Sequence, residues 1–399
     1  MLITIIAFIA GVVLTAILAF LLTQRSKLQL HILNKILEDL EYSTSMIRYD
    51  TNLDLTRKVS LYREKTKYIF TEGLITEGER AMDEYRWKEA IDYFQKALTL
   101  ASGRQKAIIL ARLGRCYYVI GNLSGAIESL EESLLITKKI SDLEGQASAL
   151  GNLGVISMTK GELNKALQYY EEALKIEREI GNKEGEAIAF GNLGLIYQNT
   201  GDLDQALKYH EDALKINREI GNRKGEASDL VNLGVIFQMK GDFDKALKYY
   251  EEASKIDREI DNKETEAVVL GNLGLIYQYK GDLDRALKHQ EEALKINKEI
   301  GKKEGIARAL SNLGVIFQTK GDIDKALINY EEALKISNEI GNKKGVAITL
   351  GNLASSYEAL GEKAKALKHY EVALNRFTQI GAKREIEKTK EKIKKLKGE

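Results

Sequence analysis

Side chains able to make or break bonds are scarce in this chain of 399 residues: one cysteine, Cys116, and four histidines, His31, His210, His289 and His369. A cysteine nucleophile needs a nearby base or cation to hold it as the thiolate, and no histidine lies in the same stretch as Cys116. His210, His289 and His369 recur at helix-packing spacing in three separate segments, so they form neither a metal-ligand cluster nor an acid–base pair. A single cysteine also excludes intrachain disulfides and multi-cysteine zinc sites. The 33 glycines fall at regular junctions and not in a phosphate-cradling loop. The reading is of a protein that is not an enzyme and carries no catalytic residue, metal or cofactor.

Asparagine is the polar residue that does recur with purpose-like spacing. Asn152, Asn192, Asn232, Asn272, Asn312 and Asn352 stand forty residues apart. A carboxamide offers two donors and an acceptor, so it can grip a peptide backbone without reading side chains. Asparagine is also a poor helix-interior residue, and six such positions ask for a reason. Two other reasons stay open: a bond to the neighbouring copy, or inheritance by duplication. The acidic pair ahead of Ala173, Ala213, Ala253, Ala293 and Ala333 is copied almost as faithfully.

These asparagines sit inside a longer repeating phrase. GNLG begins at Gly151, Gly191 and Gly271, with VNLG at Val231, SNLG at Ser311 and GNLA at Gly351. In the copy near Ala187, Phe190, Leu193, Ile196 and Tyr197 make one helical stripe, Gly201-Asp202 breaks it, and Leu203, Ala206, Leu207, His210, Ala213 and Leu214 make a second. Gly221-Asn222 ends that helix. Gly194, Ala206 and Ala213 are small where two backbones must approach. A fixed period of this length signals stacked helix pairs, not separate globular domains.

Leu193, Gly194 and Tyr197, followed by Ala206, His210 and Ala213, resemble the tetratricopeptide repeat family, as do Leu273, Gly274, Tyr277, Ala286 and Ala293. Eight copies begin near residues 71, 107, 147, 187, 227, 267, 307 and 347; in the first, Gly78, Ala90, Phe94 and Ala97 match and Trp87 replaces the leucine. The resemblance implies an all-α, right-handed α-solenoid over residues 71–380 that binds partner proteins or peptides in its concave groove. Two departures stand out: a period of 40 where the family has 34, and no proline anywhere in the chain. The longer form is similar to the repeats of the Pins/LGN adaptors and of kinesin light chain. By the family's geometry the first helix of each pair lines the groove, which places the asparagine ladder along it.

Positions that vary against this uniform background bear on selectivity. Thr159, Asn199, Met239, Tyr279, Thr319 and Ala359 share one position just before the turn, preceded by Gln198, Gln238, Gln278 and Gln318. Val155, Leu195, Val235, Leu275 and Val315 form an apolar wall beside the ladder. Met239, Tyr279 and the glutamines are therefore expected to select the ligand. Arg112 and Arg115 hold groove positions in the second copy. They hold an acidic group of the partner, or else pair with Glu79 or Asp83.

The flanks complete the organisation. Leu2 to Leu22 carries no charge and as a helix would reach roughly 31 Å, the thickness of a bilayer's hydrocarbon core. Residues 1–23 read as a transmembrane helix, and Arg25 and Lys27 behind it place the N-terminus outside and the repeats in the cytoplasm. Residues 24–70 read as a helical linker, in which Leu30, Leu33, Leu37, Leu40 and Ile47 form either a short dimer seam over 28–47 or a face that packs on the first repeat. Residues 381–399 read as a basic capping helix, with membrane docking as the alternative. A net charge of +1 argues against nucleic acid as a main partner. The function expected is a membrane-anchored scaffold; a peptide sensor and an exported envelope-assembly scaffold are its rivals.

Overall fold

A computed structural model describes residues 55–398, and every regular element among them is an α-helix. The chain divides into two compact units, Met1–Asn182 and Lys183–Glu399. In the first unit lie α1 (Leu55–Asp83), α2 (Trp87–Leu98), α3 (Gly103–Val119), α4 (Leu123–Lys139), α5 (Leu143–Thr159) and α6 (Leu163–Glu179). The second unit holds α7 (Lys183–Thr200), α8 (Leu203–Glu219), α9 (Arg223–Met239), α10 (Phe243–Glu259), α11 (Lys263–Tyr279) and α12 (Leu283–Glu299). It continues with α13 (Lys303–Thr319), α14 (Ile323–Glu339), α15 (Lys343–Ala359), α16 (Lys363–Gln379) and α17 (Lys383–Lys397). Odd and even helices pair to give the repeats expected from the sequence, and α17 packs on α16 at the end. The apolar run Leu2–Leu22 and the 28–47 seam lie outside the described residues. Among the described residues no helix is long and apolar enough to cross a membrane.

The 40-residue period has a simple local origin. Most pairs consist of two 17-residue helices joined by three-residue turns. The extra length over the shorter family repeat is thus shared by both helices. Asp202, Asp242, Asp282 and Asp322 cap the second helices, each accepting from a backbone N–H three residues on at 3.0–3.2 Å. A glycine with positive φ closes most turns, as at Gly221 (φ 69°), whereas Asp261 takes this left-handed conformation at φ 52° without being glycine. The first pair departs from the rule: α1 has 29 residues and runs unbroken through residue 70, while α2 has only 12.

Within most pairs, packing turns on a missing Cβ. A Cβ at Gly154 would lie 2.7 Å from the Tyr170 ring, one at Gly234 2.6 Å from Tyr250, and one at Gly314 2.5 Å from Tyr330. Gly78 meets Phe94 in the same way, and Gly194 meets His210. The ring thus lies flat on the backbone of the first helix, and Tyr170, Tyr250 and Tyr330 are among the largest fully buried side chains. Ala90, Ala126, Ala206, Ala246, Ala286, Ala326 and Ala366, at the small positions of the second helices, are wholly buried as well.

Between consecutive pairs a second buried position is polar and varied. Asn217, Asp257, Asn297 and Ser337 occupy it in successive second helices, each 5% exposed or less. Asn217 donates to the buried Asp229 carboxylate at 2.7 Å, and Asn297 donates to the Ala293 carbonyl at 2.7 Å. Asp257 accepts from Asn262 at 3.0 Å through one oxygen, and its other oxygen has no partner. Burial pushes this carboxyl up to about 6. On the surface, Lys240–Asp204, Lys280–Asp244 and Lys320–Asp284, each at 2.5 Å, link neighbouring pairs at a constant interval. Their aspartates are 81–90% exposed, so each bridge contributes little.

Two predictions follow from these packings. Gly234→Val should shift the urea-unfolding midpoint down, at a cost of about 1–3 kcal/mol for overpacking; Ala354, beside Tyr370, indicates that an unbranched Cβ is accommodated. The Asp257 proton is held more tightly in the folded chain than in the unfolded one. Stability should therefore be greatest below pH 4 for this group and fall as pH rises through about 6. Asp257→Asn, which copies Asn217 and Asn297, should remove that slope and raise the midpoint at pH 8 by on the order of 2 kcal/mol.

Candidate peptide-binding face

In each unit successive first helices approach one another directly: α3 with α5, then α7, α9, α11, α13 and α15 in series. Successive second helices show no comparable approach among the described residues. The first helices therefore form the more closely spaced row, and the side they share is the inner one of each unit. On α9 that side comprises Ser228, Val231, Asn232, Val235, Gln238 and Met239, all half-buried or exposed, between buried neighbours.

All six ladder asparagines are half-buried on this row. Their amides are not uniformly offered outward. Asn152 donates to the Ser148 carbonyl at 2.9 Å within its own helix. Asn312 donates to Gln290 of the preceding pair at 3.3 Å. The bond to a neighbouring copy is thus present at Asn312.

The glutamines, expected to select ligand, have internal work. Gln238 accepts from the Tyr250 hydroxyl and Gln318 from the Tyr330 hydroxyl, each at 3.0 Å and each twelve residues apart. Glu358 takes the same part for Tyr370 at 2.9 Å. Where Met158 replaces the glutamine, the Tyr170 hydroxyl is buried without a partner. Gln318 also donates to Ser355 at 3.2 Å, and Gln198 reaches the Met239 sulfur at 3.9 Å. Gln278 is half-buried on the same line. The spacing of twelve between a glutamine and a tyrosine is the sequence signal for these bonds.

Met239 and Tyr279 are the open apolar groups of the face, 53% and 70% exposed. Tyr279 stacks on Phe243 with ring centroids 5.5 Å apart, which fixes the ring while leaving its outer face free. In the first unit Arg112 pairs with Glu79 of α1, as one of its two sequence readings held, and Arg115 is exposed. Cys116 is fully buried, and burial pushes its thiol up to about 11, so it is a packing group and no nucleophile at neutral pH.

Four pairs depart from the tyrosine pattern, with Phe94, Leu130, His210 and Gln290 at the ring position. His210 takes the ring position, fully buried, with neither ring nitrogen hydrogen-bonded. Its Nδ1 lies 3.7 Å from the buried Asp229 carboxylate, which in turn accepts from Asn217. This buried polar chain between α8 and α9 was not singled out by sequence; Asp229 stands where Ala149, Ala189, Val269 and Ala309 are apolar.

Profiles of the tetratricopeptide repeat match residues 145–219, 185–259, 225–299, 265–339 and 305–379, and a further one matches 75–141. No curated protein matches the chain. A signal transduction ATPase with a tetratricopeptide repeat sensor, from Pyrococcus horikoshii, superposes with TM-score 0.60 at 19% identity, over 83% of this chain and 53% of that one. A Rap protein solved in complex with competence and sporulation factor gives TM-score 0.54 at 14% identity, over 82% and 97%. The apo quorum sensor NprR of B. thuringiensis gives 0.51 at 19%, over 82% and 98%. The likeness to all three is one of fold.

The tyrosine–glutamine bond makes a measurable claim. Gln318→Leu should strand the Tyr330 hydroxyl in a dry site and cost about 1–3 kcal/mol. Adding Tyr330→Phe should recover most of that loss. Urea midpoints of the four members of the cycle read the coupling directly.

Proposed function

Because the chain belongs to the tetratricopeptide repeat family, we propose that it is a membrane-anchored adaptor whose row of first helices holds a segment of a partner protein. The observation that carries this reading is the stripe on α7, α9, α11, α13 and α15. It combines half-buried aliphatic groups with the exposed Met239 and Tyr279, on rigid helices. Large apolar groups left open on a fixed surface are what a protein partner covers. Asn192, Asn232 and Asn352 add amides able to bond an extended backbone. The repeats thus act as an adaptor of the 40-residue type. Anchoring rests on the uncharged run Leu2–Leu22, and Arg25 and Lys27 favour repeats on the cytoplasmic side.

A second reading, peptide sensing, has one observation in its favour. The fold is shared with NprR, a quorum sensor, and with a Rap protein complexed with competence and sporulation factor. A soluble ligand would use the same stripe, so the two readings differ in occupant and not in site.

Photo-crosslinking tests the site. Benzoylphenylalanine at Met239 or Val235 should give discrete adducts in cells, while the same probe at Lys215, on an outer helix, should not. Equal labelling at all three positions contradicts the reading. Alkaline carbonate should leave the full chain with membranes and release a variant lacking residues 2–22. Cleavage of the repeats by protease added to intact cells would reverse the orientation.

A further inference from the structure

The inner side of the second unit differs in charge from the rest of the molecule. Residues 188, 191, 192, 195, 198 and 199 of α7, with the positions 40, 80, 120 and 160 further along, make up the stripe on its five first helices. Only two of these are charged, Arg308 and Glu358, although 30% of the chain is charged. Glu358 is already engaged, accepting from Tyr370 at 2.9 Å and facing Lys392 at 3.4 Å. Arg308 is exposed and forms no ion pair among the described residues. Its position in the other first helices of the unit is Ile188, Ser228, Val268 or Ile348. Against copies so alike, a lone arginine among serine and aliphatic residues is a local departure.

Resting on the peptide-binding reading above, we infer that the second unit selects an uncharged, apolar-rich protein segment bearing a single carboxylate, which Arg308 receives. The argument is electrostatic. A lysine, arginine or second acid on the ligand would lose water against Val235, Leu275, Met239 and their neighbours with nothing to replace it, a cost that uncharged residues avoid. A guanidinium with no partner of its own gains a charge-assisted, bidentate bond from one carboxylate beside it. Asn312, one turn further along α13, already donates to Gln290, so Arg308 supplies the charged contact alone. Uncharged surroundings set what is refused, and Arg308 sets where the one permitted charge sits.

A random dodecapeptide phage library panned against the full chain tests this. Wild-type pools should be depleted of Lys and Arg and enriched in apolar sequences with one Asp or Glu. Pools from Arg308→Glu should exchange that acid for one Lys or Arg, and pools from Arg308→Gln should lose the charge preference. A matched synthetic set from the selected sequence, carrying Glu, Gln or Lys at the one charged place, should bind wild type in that order, with Glu over Gln by about tenfold. Arg308 makes no ion pair to lose, and circular dichroism of each variant checks the fold. Pools that keep the same charge pattern in Arg308→Glu overturn the inference, while enrichment that still disappears in Val235→Glu leaves the binding face standing. Wild-type pools identical to the unselected library overturn both.

Discussion

Five of the eight helix pairs close where a glycine meets a flat ring. At Gly154, Gly234 and Gly314 a tyrosine lies on bare backbone, at a distance no Cβ would permit. That contact sets how near the two helices come, and so which positions are dry and which face water. Glycine is unfavourable inside a helix by about 1 kcal/mol relative to alanine, and the buried ring more than offsets it. Burial brings a second requirement, since the tyrosine hydroxyl must then find an acceptor. Gln238, Gln318 and Glu358 provide one. In these three pairs the acceptor is a polar residue twelve positions earlier on the inner row, while Tyr170, with Met158 there, has none.

Much of this was legible from the residues. The two stripes, the turn dipeptides and the small residues specified helix pairs, because apolar periodicity and steric demand are local properties written position by position. The 17-residue helices split the extra length evenly, which a period alone could not apportion. The asparagine ladder shows where reading stops. Six identical residues at identical spacing look like one device. Their bonds differ because their neighbours differ: Ser148 for Asn152 and Gln290 for Asn312. A side chain's partner lies in its own helix or 22 residues back in the preceding pair, and repetition conceals this difference. Gln238 and Gln318 show the same thing, since each is turned toward a buried tyrosine hydroxyl from the inner row.

The joints between pairs carry the individuality that the pairs lack. Asn217 with Asp229, Asp257 with Asn262, and Asn297 with its own helix solve one buried position in three ways. Where apolar contacts are nearly interchangeable, polar groups that fit only their own neighbour distinguish one joint from the next. His210 adds to this at a single pair, packed against Gly194 and within reach of Asp229.

Uniform 17-residue helices with three-residue turns have a consequence for the length of the array. Nearly equal chain segments lie side by side, so the removal or insertion of one whole copy rejoins segments of the same kind. The rejoined protein would still match Lys to Asp across the seam, as Lys240–Asp204, Lys280–Asp244 and Lys320–Asp284 now do. The inner row would then lengthen or shorten by one whole helix pair at a time.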